Sequence, residues 1–387
     1  MIHFNINDLD KGLKLEEISW AGIPYRRPRL AGKNARLDTH GWGGDMPTVR
    51  IKAGGTEGFG WCTLSRPQAE LLSGLPLHAL FRDDGMLKPE YRGLEFPLLD
   101  WLGHFFKKPV YALAANNPNK IKNGLSVPVY DTSIYFDEFH IEDNKEAVQF
   151  IVDEVSQGLG RGHCNFKIKI GRCGMWMDLD AGLQRDIDIV KGIRALVGKD
   201  AKLMVDANNG YNLNITKKFL LATKEEKLFW IEEAFHEDMM LYANLKKWMK
   251  EQDIGTLIAD GEGQASPSIV TWAKKGLVDV MQYDLRSYGF FSWMELSGEL
   301  EPFDVLCAPH NYSGFFGNYA AGHFSVCTDK FALVEFDVAE AEGIDASAYK
   351  IRNGLLEVPA LDGFGLVFDG AVFDKYCEQK GYKLKMM

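Results

Sequence analysis

A series of ionisable side chains falls at the ends of short apolar segments in the middle of the chain. The first are Lys167 and Lys169 in the stretch NFKIKIGR, where they alternate with Phe166, Ile168 and Ile170. Because successive side chains of a strand point to opposite faces, both ammonium groups lie on one face. A solvent-exposed face would make this an ordinary amphipathic strand, whereas a buried face would require anionic partners for both lysines.

Further ionisable side chains, most of them carboxylates that could pair with the lysines, follow at the ends of the next apolar segments. In chain order these positions carry Asp206, Glu232 with Glu233, Asp260 with Glu262, Asp284, His310 and Glu335. Any single aspartate among them could simply cap a helix. A barrel of parallel strands explains the whole ordered series, because the catalytic residues of such a barrel lie at the carboxyl ends of its strands.

Three carboxylates on consecutive strands are expected to converge, because neighbouring strands lie about 4.8 Å apart. They would repel one another unless a cation lay between them, and ligands that are all oxygen suit Mg²⁺ better than zinc. We therefore predict one Mg²⁺ per active site. One lysine would then offset the charge of an anionic substrate, and the other, with its pKa lowered by the neighbouring cations, would act as a base.

His310 and Asp284 are predicted to lie on adjacent strand ends across the barrel. In this arrangement a carboxylate fixes the tautomer of an imidazole and raises its basicity. We predict that His310, which follows Pro309 in CAPHNY, is a general acid or base facing the lysines. Taken alone, this histidine could also have a structural role.

The elements that position these residues read as repeated strand and helix units. The apolar segments, separated by helix-length stretches, are CNFKIKIG, KLMVDANNG, LFWIEEAF, TLIADGEG, VDVMQYD, DVLCAPHN and FALVEFD. Their starts lie roughly 20 to 40 residues apart, which is typical of βα units around a parallel sheet. Seven or eight such units over about 220 residues predict an α/β fold of the TIM-barrel type. A dinucleotide-binding fold is disfavoured, because no G-x-G-x-x-G motif follows a strand.

Ahead of the barrel, which we place at 126–345, residues 1–125 are predicted to form an α+β unit. Its basic, glycine-bearing stretch at about 25–45 is expected to be a mobile loop. Candidate substrate contacts on this loop and just beyond the lysine strand are Arg26, Arg27, Arg29, Lys33, Arg36, His40, Trp42 and Arg172. They offer donors for the hydroxyls or a distal carboxylate of a substrate, although a solvated loop would carry similar residues.

The composition narrows the class of protein. The 387 residues are 46% hydrophobic and 25% charged, which is typical of a soluble globular protein. A net charge of −10 argues against nucleic acid as a partner. The six cysteines have no paired short spacing, and no apolar run is long enough to span a membrane, so we expect a cytoplasmic protein that binds neither zinc nor membrane.

The ordered motifs resemble the enolase superfamily, specifically its mandelate racemase subgroup. The resemblance is carried by K-x-K, VDANNG, WIEE, ADGE, QYD, APH and VEFD, in that order, over residues 126 to about 340. It implies a modified TIM barrel of the (β/α)7β type. It also implies that the preceding α+β unit is a capping domain, completed by a C-terminal segment at 346–387, and that the loop at 25–45 closes over the substrate.

The resemblance further implies a role for each motif residue. Asp206, Glu232 and Glu262 would bind Mg²⁺, with Asp260 beside them or as an alternative ligand. Lys169 would be the lysine acid/base, and Lys167 would contact the substrate carboxylate, as Asn208 would contact another polar group. His310 with Asp284 would form the second catalytic pair, and Glu335 would hydrogen-bond an oxygen of the enediolate.

The shared chemistry of such a site is removal of the proton α to a carboxylate. We favour dehydration of an aldonic or aldaric sugar acid to a 2-keto-3-deoxy acid, with His310 protonating the departing hydroxyl. Return of a proton to the opposite face would make the protein a racemase or epimerase, and cycloisomerisation needs the same groups. A metal-free Schiff-base aldolase or a non-catalytic paralogue leaves the converging carboxylates unexplained. A homo-oligomer is expected.

Overall fold

The computed structural model describes residues 8–312 and 314–386. The N-terminal unit is built on an antiparallel sheet of β1 (Glu17–Ala31), β2 (Gly41–Ala53) and β3 (Thr56–Trp61). Gly54 and Gly55, with φ of 56° and 70°, form the tight turn between β2 and β3. The stretch at 25–45, expected to be a loop, is therefore mostly strand, and residues 32–40 connect β1 to β2.

Helices follow this sheet in the chain, and the second of them packs against β3. They are α1 (Arg66–Glu70), α2 (Glu95–Phe106) and α3 (Val110–Ala114), with 3₁₀ turns at Leu77–Leu80, Pro89–Leu94 and Pro118–Ile121. Close approach of α2 to β3 depends on Gly58, because a Cβ there would lie 2.4 Å from the backbone nitrogen of Trp101. The helix ends where Lys107 adopts a left-handed φ of 55°.

The second unit is a closed barrel of parallel strands. Its strands are β4 (Leu125–Ile134), β5 (Asn165–Lys169), β6 (Leu203–Asp206), β7 (Trp230–Glu232), β8 (Leu257–Asp260), β9 (Val280–Met281), β10 (Leu306–Cys307) and β11 (Val334–Phe336). Consecutive strands from β4 to β10 pair in parallel, and β11 pairs with β4. A bridge between Cys307 and Phe331 joins β10 to the segment that leads into β11 and closes the ring.

Helices lie between successive barrel strands. They are α4 (Asn144–Gly160), α5 (Arg172–Met175), α6 (Leu179–Val197), α7 (Leu213–Ala222), α8 (Met239–Glu251), α9 (Ile269–Lys274), α10 (Leu285–Tyr288), α11 (Phe290–Leu300) and α12 (Phe315–Phe324), with 3₁₀ turns at Lys224–Glu226, Glu301–Phe303 and Ser325–Cys327. After β11 the chain leaves the barrel for the N-terminal sheet. The predicted (β/α)7β barrel with an α+β cap is therefore confirmed.

The C-terminal part of the chain is shared between the two units. Its elements are β12 (Glu340–Ala341), β13 (Ile344–Asp345), β14 (Lys350–Arg352), β15 (Leu355–Val358), β16 (Val367–Phe368), α13 (Gly370–Lys380) and β17 (Tyr382–Lys385). The strands β12, β13, β16 and β17 join the cap sheet, whereas β15 pairs with β4 and carries β14. Residues 340–345, which we placed with the barrel, thus lie in the cap, and the hairpin at 350–358 extends the barrel sheet instead.

The barrel interior is filled below the mouth by a separate cluster of buried side chains. Tyr130, Met204, Trp230, Val280 and Leu333 all belong to it. This layer supports the strand ends from beneath, so the polar side chains above it have little room to change direction. Within the described residues, helices of sufficient length and apolar character to cross a membrane are absent.

Candidate active site

The register of the barrel strands brings the predicted metal ligands together. Lys169 is the Cα partner of Asp206, and Asp206 is the Cα partner of Glu232. Glu262 follows β8 after Gly261, whose φ of 127° turns the chain at the strand end. One carboxylate oxygen from each of Asp206, Glu232 and Glu262 lies within 4.8 Å of the others. Three converging acidic oxygens are a donor set that fits Mg²⁺.

The remaining oxygen of Glu232 is held by neutral donors. Trp230 Nε1 donates to Glu232 Oε2 at 3.1 Å, and Gln282 Nε2 donates to the same atom at 2.8 Å. Both donors are buried. Glu232 is therefore fixed in orientation with its other oxygen turned to the lysine side of the site. Gln282 was missed in the sequence, although its place beside Asp284 in QYD puts it on a strand end.

Asp260, the alternative ligand, is engaged away from this group. Its Oδ2 accepts a hydrogen bond from the Tyr242 hydroxyl, and its Oδ1 accepts one from the Gly261 amide at 2.7 Å. Burial raises the pKa of Asp260 to about 7. The structure thus gives Asp260 a role behind the ligands, where it ties β8 to α8.

The two lysines face inward and contact the carboxylates. Lys167 Nζ lies 2.6 Å from Glu232 Oε1, 2.7 Å from Glu335 Oε1 and 3.8 Å from Asp206 Oδ2, and Lys169 pairs with Asp206. Burial opposes the charge on Lys169, but the charges of Asp206, Glu262 and Glu232 together outweigh burial and raise its pKa. The charge of Lys167 lowers the pKa of Lys169, as expected, but by less than the carboxylates raise it. The net shift of the Lys169 pKa is therefore upward, whereas a lowered pKa was predicted for the base.

His310 lies between two carboxylates. Its Nδ1 is 3.2 Å from Asp284 Oδ2, and its Nε2 is 2.9 Å from Glu262 Oε2. Although burial disfavours the imidazolium, the charges of Glu262 and Glu335 raise the pKa of His310 well above its ordinary value. Asp284 is itself fixed as the N-cap of α10, because its Oδ1 accepts hydrogen bonds from the amides of Arg286 and Ser287.

Glu335, on β11, joins the lysine side of the site to the histidine side. Besides Lys167, its Oε1 accepts a hydrogen bond from Thr132 Oγ1 at 2.7 Å, and its Oε2 accepts one from the Asn311 amide at 2.7 Å. Burial raises its pKa, but the charges of Lys167 and His310 outweigh this effect and lower it overall. Thr132 and Asn311 were not predicted from the sequence.

Asn208 is turned into the site by a left-handed backbone. With φ of 40°, it donates from Nδ2 to Glu233 Oε2 at 2.9 Å and to Glu262 Oε1 at 3.2 Å. Glu233, with φ of 41°, also accepts a hydrogen bond from Asn209 at 2.9 Å. Burial and the charge of Glu262 raise the pKa of Glu233 to about 10. In the sequence, the second glutamate of WIEE was the signal that pointed to Glu233.

Three arginines predicted to bind substrate are instead held by internal partners. Arg27 pairs with Asp337 at 2.8 Å, and both side chains are buried. Arg29 lies 3.3 Å from Glu154 and donates to the Ser133 carbonyl.

Arg172 is fully buried between Glu138 and Asp186, at 2.7 Å from each, and donates to the Lys169 carbonyl at 3.1 Å. These contacts place Arg172 behind the lysine strand rather than in the site, because its guanidinium is enclosed and satisfied by carboxylates.

The loop at 32–40 lies over the mouth of the barrel. Asn34 accepts a hydrogen bond from Trp176 Nε1 at its carbonyl, at 2.7 Å, and Lys33 exchanges backbone hydrogen bonds with Phe136. Ala35 is buried against Gly171 and Gly210, two glycines in the segments that follow the strands of Lys169 and Asp206. The loop is therefore seated on the segments that carry the catalytic side chains.

Of the two predicted substrate contacts His40 and Trp42, His40 lies near the catalytic lysines, whereas Trp42 lies away from the site. The His40 ring centroid lies 4.9 Å from that of Tyr135 and 5.4 Å from that of Tyr312. Tyr135 is in turn 6.0 Å from Lys169 Nζ. Trp42 is half-exposed and carries the Arg26 guanidinium 5.0 Å above its ring, beside an outer groove of the cap. Tyr135 and Tyr312 were missed in the sequence.

Comparison with known proteins agrees with this geometry. The family model for enolase C-terminal domain-like proteins matches residues 151–372. Arabinonate dehydratase of Saccharolobus solfataricus is 25% identical over 289 residues, covering 73% of this chain and 71% of that protein.

Two crystal structures of galacturonate dehydratase from Geobacillus sp. are closely similar. An alanine variant in complex with Mg matches with a TM-score of 0.97 and 42% identity over 100% of both chains. The complex with D-galacturonate and 5-keto-4-deoxy-D-galacturonate matches with a TM-score of 0.93 and 43% identity, over 97% of this chain and 100% of that one.

Proposed function

Because the chain belongs to the family of enolase C-terminal domain-like proteins, we propose that it is a Mg²⁺-dependent sugar-acid dehydratase whose substrate is a hexuronate such as galacturonate. The observation that carries this proposal is the joint position of Asp206, Glu232 and Glu262 between Lys169 on one side and His310 on the other. Similarity over the whole chain to a galacturonate dehydratase supports the choice of substrate.

The first step is removal of the proton α to the substrate carboxylate. Mg²⁺, when bound by the three acidic residues, supplies positive charge that stabilises the electron density gained by the carboxylate as this proton leaves. Lys167 is held by Glu335 at 2.7 Å and contributes a second fixed positive charge. The proton goes to Lys169 or to His310, the two groups that flank the ligands.

The second step is loss of the hydroxyl on the next carbon. The bond from that carbon to oxygen breaks, and an imidazolium at His310, oriented by Asp284, supplies the proton with which the hydroxyl leaves as water. The resulting enol then becomes a ketone by taking up a proton at the carbon that lost the hydroxyl. Counted from the carboxylate, the product is a 2-keto-3-deoxy acid, and counted from the aldehyde of a hexuronate it is a 5-keto-4-deoxy acid.

Among the alternatives, a Schiff-base aldolase receives less support from the site than a dehydratase. A Schiff-base aldolase needs a free amine, but both site lysines are paired with carboxylates. A racemase or epimerase uses the same groups, so it is separated from a dehydratase by its products.

We test the function by incubating the protein with Mg²⁺ and galacturonate in D₂O and following products by NMR and mass spectrometry. A keto-deoxy product that is lost on adding EDTA and in His310→Asn, but kept in the exposed-histidine control His140→Asn, is the expected result. Deuterium at the α carbon of recovered substrate without a keto product would move the assignment to an epimerase. Absence of both, across galacturonate and the aldonic acids, would reject the proposal.

We also propose a homo-oligomer in a reducing, cytoplasmic setting. Large apolar side chains are exposed on the loop and on the neighbouring α5 and α6, at Leu37, Met175 and Leu179. All six cysteines are free, which suits a reducing compartment. Size-exclusion chromatography with light scattering tests the oligomeric state.

A further inference from the structure

We infer that the site accepts a sugar acid with one carboxylate and rejects the dicarboxylate formed by oxidising the far end of the same sugar. This inference rests on the proposed dehydratase function and names the class of substrate more narrowly. A distal carboxylate would have to meet the side chains of the loop at 32–40 and of the strand β1 that leads into it.

The first observation is that the cations around the mouth are already paired with carboxylates. Arg27 is held by Asp337 at both Nε, 3.2 Å, and Nη2, 2.8 Å. Arg29 is held by Glu154 and by a backbone carbonyl. A distal carboxylate would have to displace these anions from the buried Arg27 and the partly buried Arg29, which leaves the displaced anion without its partner.

The two cations of the loop beyond β1 also face carboxylates, in pairs that are partly exposed. Lys33 lies 3.0 Å from Asp38 and 3.8 Å from the centre of the Trp176 ring. Arg36 lies 3.5 Å from Glu233, which also receives the amides of Asn208 and Asn209. Every positive charge on this part of the loop is therefore directed to a partner on the barrel or on the loop itself.

The second observation is the tautomer of His40. Its Nδ1 lies 2.5 Å from the Gly32 carbonyl oxygen, so Nδ1 carries the proton and donates it. Its Nε2 faces the side-chain amide of Asn34 at 3.5 Å. The oxygen of that amide caps the backbone of Arg36 and Leu37, at 2.9 and 2.7 Å, so the NH₂ group points at His40.

His40 Nε2 is therefore a hydrogen-bond acceptor, because the contacts at Nδ1 and at Nε2 both require this tautomer. Its contact with Asn34 is long, so a substrate hydroxyl can take over as the donor. A carboxylate offers only lone pairs, and two acceptors facing each other repel. Burial lowers the pKa of His40, and the charges of Lys169 and Arg27 act in the same direction, so the ring stays neutral near pH 7.

The third observation is the charge balance of the site. Five carboxylates line it, namely Asp206, Glu232, Glu262, Asp284 and Glu335. They are offset by two lysines, an imidazolium, a divalent ion and Arg286, which lies 3.4 Å from Asp284, so a single surplus positive charge remains. The first substrate carboxylate is drawn in by the ion and Lys167, but a second one would enter a site with nothing left to neutralise it.

The experiment compares two sugar acids that differ only at the far carbon. Galacturonate has an aldehyde there, and its oxidation product, galactarate, has a carboxylate. We measure kcat/KM for each with the Mg²⁺-loaded protein, and also the Kd of each by calorimetry. We expect kcat/KM to be at least 100-fold lower, and binding at least 30-fold weaker, for galactarate. Values within 3-fold of each other, or better values for galactarate, would overturn the inference.

The two readouts keep this inference apart from the proposed function. Tight binding of galacturonate, with no turnover of it or of the aldonic acids, would reject the dehydratase function, yet the ratio of the two Kd values would still decide the inference. Turnover of both acids at equal rates would keep the function and reject the inference. Failure of both acids to bind would overturn both, whereas failure of galactarate alone is the expected result.

Variants of His40 test the residue assigned to this discrimination. His40→Lys should raise the galactarate to galacturonate ratio of kcat/KM by at least 10-fold, because it replaces the neutral acceptor of His40 with a cation. His40→Gln, which can still present an acceptor, should leave the ratio within 3-fold of wild type. The matched control His140→Lys adds the same charge at an exposed histidine and should not change the ratio. An unchanged ratio in His40→Lys would show that His40 does not discriminate between the two acids.

Discussion

Gly210 contacts the loop at 32–40, which covers the site. We expect Gly210→Ala to displace that loop from the barrel. A Cβ at position 210 would lie 2.4 Å from the Cβ of Ala35 and 2.9 Å from the carbonyl oxygen of Ala207. Carbon atoms in contact lie about 3.5 to 4.0 Å apart, so the loop has to retreat by roughly 1 Å or more. Forcing extra volume into a close-packed contact of this kind costs about 1 to 3 kcal/mol.

We expect this cost to fall on docking of the loop rather than on the barrel. The loop at 32–40 is attached to the barrel mouth through a few contacts, at Lys33, Asn34 and Arg36, and these can separate together. A cost of 1 to 3 kcal/mol corresponds to about a 5- to 150-fold larger population of the undocked loop. While the docked loop remains the major state, kcat/KM should fall only as far as the docked fraction itself falls, which is much less than this factor.

Limited proteolysis measures the undocked population directly. Trypsin cleaves after Lys33 and Arg36, so the rate of cleavage in the loop should rise about 5- to 150-fold in Gly210→Ala when opening is fast relative to cleavage. Gly298→Ala is the control, because nothing lies within 4 Å of a Cβ at that exposed helical position. Ala35→Gly in the Gly210→Ala background should restore part of the docking, since the contact with Ala207 remains. Unchanged cleavage in a folded Gly210→Ala protein would refute this account of the loop.

Three further predictions concern the metal, a buried ion pair and a buried histidine. Asp206→Asn should weaken Mg²⁺ binding by at least 10-fold in calorimetry and remove activity, and an unchanged Kd would exclude Asp206 as a ligand. Asp337→Asn should lower the free energy of unfolding in urea by about 3 to 5 kcal/mol because it strands the buried charge of Arg27, and Arg27→Met added to it should recover much of this loss.

Burial lowers the pKa of His323 from 6.5 to about 3, so the fold holds the ring neutral and this stabilisation is lost as pH falls below 6.5. Relative to His323→Gln, wild type should therefore lose about 2 kcal/mol between pH 7.5 and pH 5, and a difference that does not change with pH would contradict this.

The sequence was sufficient for the barrel and for the face on which its ionisable residues lie. Side chains alternate along a strand, so Lys167 and Lys169 had to share a face, and the spacing of later strands placed Asp206 and Glu232 beside them. These are local regularities that any parallel barrel imposes. The fold class and the Mg²⁺ expected from converging carboxylates follow from them.

The sequence could not assign the basic residues of the cap to substrate or to structure. Arg27 finds its partner at Asp337, 310 positions away, and Arg172 is enclosed by Glu138 and Asp186. The residues next to an arginine in the sequence do not show whether its guanidinium is free or paired, because the carboxylate that pairs with it comes from a distant element. For the same reason the cap boundary near residue 345 was misplaced, since pairing of β12 with β1 is a long-range contact.

What the sequence by itself determined is thus the inventory of catalytic groups and the strand ends that carry them. What only the tertiary structure decided is which charges remain available to a substrate. Charge availability depends on distances of a few ångströms between elements far apart in the chain, as between Arg36 and Glu233 or between His40 and Gly32. Because hydrogen bonds and buried ion pairs act only at such short range, the specificity of this site is a property of the packed fold.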